Sequence, residues 1–200
     1  MSHTWQRLLG LTSLLLFAGC VTQSTDVFPT SPSATSQLLV FRALERAVAR
    51  LDLAQLQGRR VALEIVSQLY DHKFAATYLE TWLRTHGVKV GGDQPDLRLQ
   101  VFVLTLGTDH GQSFIGVPSF QVPVLAIPIP EIAIFKWIRN RGRADLRAYA
   151  FDPKTADLVE LFPETTGRAK YDDFTILIVI GFSVTDTNDP LPASPPAGEP

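Results

Sequence analysis

The sequence contains a single cysteine, Cys20, among 200 residues. One cysteine cannot form an internal disulfide, and it cannot supply the several thiolates of a structural zinc site. An excess of basic residues is also lacking, because 18 Lys and Arg are balanced by 20 Asp and Glu. This balance excludes the basic character expected of a nucleic-acid-binding protein.

Motifs for catalysis and for cofactor binding are missing as well. No two histidines are spaced three or four residues apart, so the sequence shows no paired zinc ligands. It has neither a Gly-x-Ser-x-Gly nucleophile motif nor a phosphate-binding P-loop. We therefore expect no metal, no cofactor and no enzymatic activity. One alternative is a hydrolase that uses Asp109 and His110, since a Gly-rich loop after a strand is a common place for catalytic groups.

The first twenty residues have three parts. Residues 1–7 are polar with one cation, Arg7, residues 8–18 are apolar and uncharged, and Gly19 and Cys20 follow. A basic start, a short apolar run and small residues at the end form the pattern of an export signal. The apolar run is shorter than the roughly 20 residues that a transmembrane helix needs.

The residues from Leu14 to Cys20, LLLFAGC, resemble the lipobox of bacterial lipoproteins, with Phe17 where leucine is usual. The resemblance implies cleavage before Cys20 and attachment of acyl chains such as palmitate, so that membrane lipid is one partner. Val21, rather than aspartate, follows the cysteine, which implies the outer membrane of a Gram-negative host, facing the periplasm. The alternative is an ordinary secretory signal that is cleaved near Cys20.

Composition divides the remaining chain. Residues 20–36 are rich in Ser, Thr and Pro and are predicted to be a flexible leash after the signal peptide of residues 1–19. Residues 187–200 are Pro-rich and are predicted to be a disordered tail. Residues 37–186 have the usual size of one domain.

Hydrophobic periodicity predicts an α+β fold, with a twisted, mostly antiparallel sheet and two main helices on one face. The first helix is expected over residues 37–51 with Ser36 as N-cap, and the second over residues 74–85. Strands are expected over residues 60–66, 88–90, 97–106, 144–151 and 158–162, with a turn at 152–157. The β-branched run at residues 174–184 is predicted to be the central or closing strand.

Residues 114–135 are almost free of charge and contain four prolines. Prolines at this spacing exclude a helix and a central strand, so we expect a long apolar loop. Such a loop could complete the core, bind an unknown envelope protein or a second copy of the chain, or enter a bilayer. The candidate contact residues are Phe114, Ile115, Val117, Phe120, Val122, Val124, Leu125, Ile127, Ile129 and Ile132.

Four short elements resemble a family of uncharacterised envelope lipoproteins: Gly107-Thr108-Asp109, Gly116-Val117-Pro118, Pro130-Glu131-Ile132-Ala133 and the hairpin at Asp152. The order of the elements is also similar, at the level of topology, to that of the curli-secretion and lipopolysaccharide-assembly lipoproteins. These resemblances imply a membrane-tethered binding or assembly module of the cell envelope. They leave open an oligomeric secretion component that inserts residues 114–135 into the outer membrane.

Overall fold

The computed structural model describes residues 21–23, 33–52, 54–67, 73–122 and 127–191. These residues contain two helices and ten strands, which confirms the predicted mixture of α and β structure. The helices are α1 (Ala34–Val48) and α2 (Lys73–Thr85). The strands are β1 (Val21–Gln23), β2 (Arg60–Ser67), β3 (Lys89–Val90), β4 (Leu97–Val117), β5 (Phe120–Val122), β6 (Ile127–Ile129), β7 (Ile132–Phe151), β8 (Leu158–Leu161), β9 (Thr165–Ile176) and β10 (Ile180–Thr185).

Eight of the strands form one mixed sheet, whose main path runs β10-β9-β7-β4-β2-β3. Strand β2 is parallel to both β3 and β4, whereas β1 pairs antiparallel with β4 and β8 pairs antiparallel with β7. The remaining two strands, β5 and β6, form a separate antiparallel ribbon.

The described residues belong to two compact units. Unit 1 takes in those within Met1–Phe28, His110–Arg139 and Asp172–Val184, and unit 2 takes in the others. Both described helices belong to unit 2. The predicted boundaries of signal peptide, leash, domain and tail stay predictions, and residues 1–20, 24–32 and 192–200 lie outside the described residues.

Helix α1 begins earlier than the sequence suggested. The N-cap is Ser33, whose hydroxyl oxygen accepts a hydrogen bond from the Ser36 N–H at 3.1 Å. The prediction of Ser36 as the cap was wrong because Ser33 satisfies the same local chemistry one turn earlier.

The core of unit 2 joins both helices to alternate positions of the strands. Apolar side chains at these positions point to the same side of a strand, because side chains alternate along it. The cluster includes Ala43, Leu44, Ala47 and Val48 of α1, Leu79 and Leu83 of α2, Val61 of β2, Leu97, Leu99, Val101 and Val103 of β4, and Ala144, Leu146, Ala148 and Ala150 of β7.

Helix α1 lies directly against the backbone of two strands of unit 2. A Cβ atom at Gly142 on β7 would overlap the Leu39 carbonyl oxygen, and one at Gly167 on β9 would overlap that of Ala43. Only a residue without a side chain allows the helix to come this close.

The turn after β7 follows its sequence signal. The Asp152 carboxylate accepts hydrogen bonds from the N–H groups of Lys154 at 2.7 Å and Thr155 at 3.0 Å. The bonds from Thr155 and Lys154 hold the pKa of Asp152 below its usual value. The predicted turn at residues 152–157 and its hairpin partner, β8, are therefore confirmed.

Two predictions about apolar segments were wrong. Residues 114–135 are not a long loop: apart from 118–119 and 130–131, their described residues lie in β4, β5, β6 and β7. Prolines permit this because β5 and β6 form a two-stranded ribbon, in which each strand is an edge. Residues 174–184 are not the single central or closing strand that was predicted: they contain the end of β9, a turn and most of β10, and β10 lies at the end of the sheet.

Gly167→Ala should destabilise the protein by about 3 kcal/mol or more, since the added methyl group forces α1 away from β9. Urea unfolding followed by circular dichroism would measure this loss. Gly107→Ala is the matched control, because a Cβ atom at Gly107 meets nothing within 4 Å. Equal stability of the two variants would contradict the close approach.

Strand β7 contains a buried acid, Asp145. Its carboxylate accepts hydrogen bonds from the Arg143 Nε–H and the Thr166 hydroxyl, each at 2.7 Å. Burial raises the pKa of Asp145, but the bonds from Thr166, Arg143 and Thr105 outweigh it, so the pKa is lowered.

Because the folded pKa is depressed, the ionised Asp145 stabilises the protein above the unfolded pKa of about 3.9 and loses this effect as the pH falls below it. We expect Asp145→Asn to lower the free energy of unfolding by about 1–3 kcal/mol at pH 7. The difference from the natural protein should shrink as the pH is lowered from about 4. Asp93→Asn, in an exposed turn, serves as the control; a pH-independent difference would refute the assignment.

Candidate interaction surface

Unit 1 carries many exposed apolar side chains, on its strands and on the turn between β9 and β10, which are called together the apolar surface. Its described residues include no helix, so no helix of unit 1 covers its strands as helices cover those of unit 2. Its exposed large side chains are Ile115, Val117, Phe120, Ile132, Ile134, Leu177, Ile178, Val179, Ile180, Phe182 and Val184. Exposed apolar patches on soluble proteins often mark sites of interaction.

Charged side chains are absent from the sequence around this surface. No Asp, Glu, Lys or Arg occurs between residues 111 and 130, or between residues 174 and 185. Next to the first stretch, Lys136 and Glu131 form an ion pair with 2.8 Å between Nζ and Oε1. The two uncharged stretches therefore lack the charges that normally keep exposed strands from associating, whereas Ile132 and Ile134 lie between the two members of this ion pair.

The structure places only some of the predicted contact residues on the apolar surface. The apolar surface includes Ile115, Val117, Phe120 and Ile132. Phe114 and Ile129 are half-buried. Val122 and Ile127 pair with each other in the β5–β6 ribbon. Val124 and Leu125 lie outside the described residues.

Sequence reasoning missed the turn between β9 and β10. Leu177, Ile178 and Val179 are 61%, 60% and 82% exposed, the largest exposed fractions among the described large apolar residues. The run was predicted to be the central or closing strand because it is β-branched and uncharged, and it contains no Asn-Gly or similar turn signal. Gly181 was the remaining hint, and it lies within β10 rather than in the turn.

The backbone at this turn is unusual for its residue types. Leu177 has φ of 49° and Ile178 has φ of 71°, both in the left-handed region. For a β-branched residue such as Ile178, this region is a strained outlier. A large apolar side chain is therefore kept where glycine or asparagine would be more stable.

An aromatic row crosses three neighbouring strands of unit 1. The Trp137 ring stacks on Phe174 with 5.6 Å between ring centroids, and Phe174 stacks on Phe182 at 5.0 Å. The Arg139 guanidinium lies over Trp137, 4.8 Å from the ring centroid. Cross-strand aromatic pairs stabilise sheets, so this row holds β7, β9 and β10 together below the turn.

Close packing also joins β4 to β7 in unit 1. A Cβ atom at Gly116, which has φ of 154°, would overlap the Ile132 carbonyl oxygen. The two strands thus meet backbone to backbone at the start of β7.

The Asp109–His110 pair is not in a loop, which corrects that prediction. Both residues are exposed within β4. Among the residues that the structure describes, no group of three or more His, Cys, Asp and Glu is arranged to hold a metal ion. The same residues contain no helix that is both long enough and apolar enough to cross a membrane.

No family model matches the chain, and a search of curated proteins finds no match.

Replacing Leu177 with Asn and Ile178 with Gly should stabilise the folded protein by about 1 kcal/mol or more, because both new residues accept the left-handed region. Thermal unfolding of this double variant and the natural protein measures the change. The control is Ile134→Asn on β7, where the backbone is that of an ordinary strand. This variant should show no increase in the free energy of unfolding. A less stable double variant would count against the strained turn.

Proposed function

We propose that the chain is a membrane-tethered periplasmic lipoprotein that acts as a binding or assembly module of the cell envelope. Acylated Cys20 is its anchor, and the apolar surface of unit 1 is its contact surface. The proposed location is the outer membrane, facing the periplasm of a Gram-negative host. The single observation that carries the proposal is the exposed apolar surface.

Physical chemistry supports a contact role for this surface. Scattered exposed apolar residues are normal, but contiguous apolar segments without charge favour association with a partner or with lipid. The strained Leu177–Ile178 turn adds support, because stability alone would favour Asn and Gly there. Retention of unfavourable residues is typical of positions that serve function.

A second candidate is an oligomeric secretion component that inserts residues 114–135 into the outer membrane. The observation that favours it is that most described residues of this segment lie in strands. Paired backbone groups reduce the cost of several kcal/mol that each unpaired group would carry in lipid. The mass of the Cys20→Ser protein in solution separates the candidates, because a stable ring of many copies would favour the second.

Membrane fractionation with mass analysis tests the anchor. The natural protein should begin at an acylated Cys20 and follow the outer membrane. Cys20→Ser, which replaces the thiol with a hydroxyl, should be uncleaved or soluble. An unmodified Cys20 in the natural protein would overturn the proposed lipoprotein.

A further inference from the structure

We propose that the turn between β9 and β10 inserts into the bilayer that holds the lipid of Cys20. This apolar turn consists of Leu177, Ile178, Val179 and Ile180, all exposed. The inference rests on the proposed lipidation of Cys20. It names the lipid bilayer as the partner of this part of the apolar surface.

Three backbone N–H groups of the apolar turn are hydrogen-bonded within the protein, so they need no water. The N–H groups of Leu177 and Ile178 donate to the carbonyl oxygens of Ile134 and Ala133, each at 2.9 Å, and that of Val179 donates to the Leu177 carbonyl oxygen at 2.8 Å. Each unsatisfied N–H would be costly in hydrocarbon. All three residues at the tip therefore present apolar side chains without an unpaired donor.

The start of strand β1 is the second observation. Its first residue, Val21, pairs with Phe114 in the β1–β4 ladder. In the sequence, Cys20 directly precedes Val21. Acyl chains on Cys20 would thus be attached one residue before the strand that pairs with this part of β4.

The apolar turn lies at the same level of the sheet in unit 1. Gly116, two residues after Phe114, meets β7 at Ile132, and the next residue, Ala133, accepts the Ile178 N–H. Strands β1, β4, β7 and β9 are successive neighbours. With about 4.8 Å between neighbouring strands, roughly 15 Å separates β1 from β9. One bilayer surface can therefore receive both.

Charge limits the insertion to the headgroup side of one leaflet. Ala133 and Ile134, which accept the N–H groups of the turn, lie between Glu131 and Lys136, whose side chains form an ion pair. Because charged groups are costly in hydrocarbon, only the apolar side chains of the turn pass below the headgroup region.

A fluorophore at the tip tests the insertion in the full acylated protein. The Cys20 sulfur is blocked by lipid, so Val179→Cys supplies the single free thiol for an environment-sensitive dye. The labelled protein is reconstituted into vesicles of phosphatidylethanolamine and phosphatidylglycerol. Leu158→Cys, exposed on β8 in unit 2, is the matched control.

We expect the emission of the dye at residue 179 to shift to shorter wavelength and to be quenched by lipids with spin labels on their acyl chains. The dye at residue 158 should show neither change. Two results would overturn the insertion: equal behaviour of the two dyes, or a shift at residue 179 that vanishes on dilution of protein in the membrane. The latter would assign the turn to a second copy of the chain.

The Leu177→Asn/Ile178→Gly variant provides a test that unfolding cannot explain, because it is expected to be the more stable protein. In the Cys20→Ser background, it should lower the vesicle-bound fraction about tenfold or more. Unchanged binding would contradict the role of the turn. Mass analysis keeps the two proposals apart: an unmodified Cys20 defeats the lipoprotein, whereas an acylated protein with a water-exposed tip defeats the insertion alone.

Discussion

Helix α1 can rest on β7 and β9 because Gly142 and Gly167 have no side chains to hold it away. This contact fixes where the rest of unit 2 packs, since the apolar stripe of α1 then meets the strands at van der Waals distance. The buried Arg46 on the same helix extends the contact by donating to the Arg168 carbonyl oxygen and to Asp186 at 3.0 Å. The segment after β10 is thereby attached to α1.

The strands β4, β7 and β9 have two environments along their length. Within unit 2, alternate residues such as Val101 and Leu146 are buried in a core that includes both helices. Within unit 1, whose described part has no helix, side chains of the same strands, such as Ile115 and Ile134, are exposed. Residues of the same three strands therefore contribute to a helix-covered core in unit 2 and to the apolar surface of unit 1.

Much of the fold followed from the sequence where local and global signals agree. The helix at residues 73–85, the strand at 60–67 and the Asp152 turn were predicted because periodicity and turn chemistry point the same way. The apolar segments were mistaken because their backbone departs from common turn chemistry. A hairpin turned by Leu177 and Ile178 has no recognisable signal, and half of the candidate surface was missed with it.

Strand β1 changes the mechanics of the tether. In the sequence, the Ser-, Thr- and Pro-rich stretch from residue 24 lies between β1 and α1, whereas Cys20 directly precedes β1. If acyl chains occupy Cys20 as proposed, a single peptide bond joins the anchor to the sheet. Unit 1 would then remain next to its lipid anchor. It would contact molecules at the membrane surface and would not reach partners farther into the periplasm.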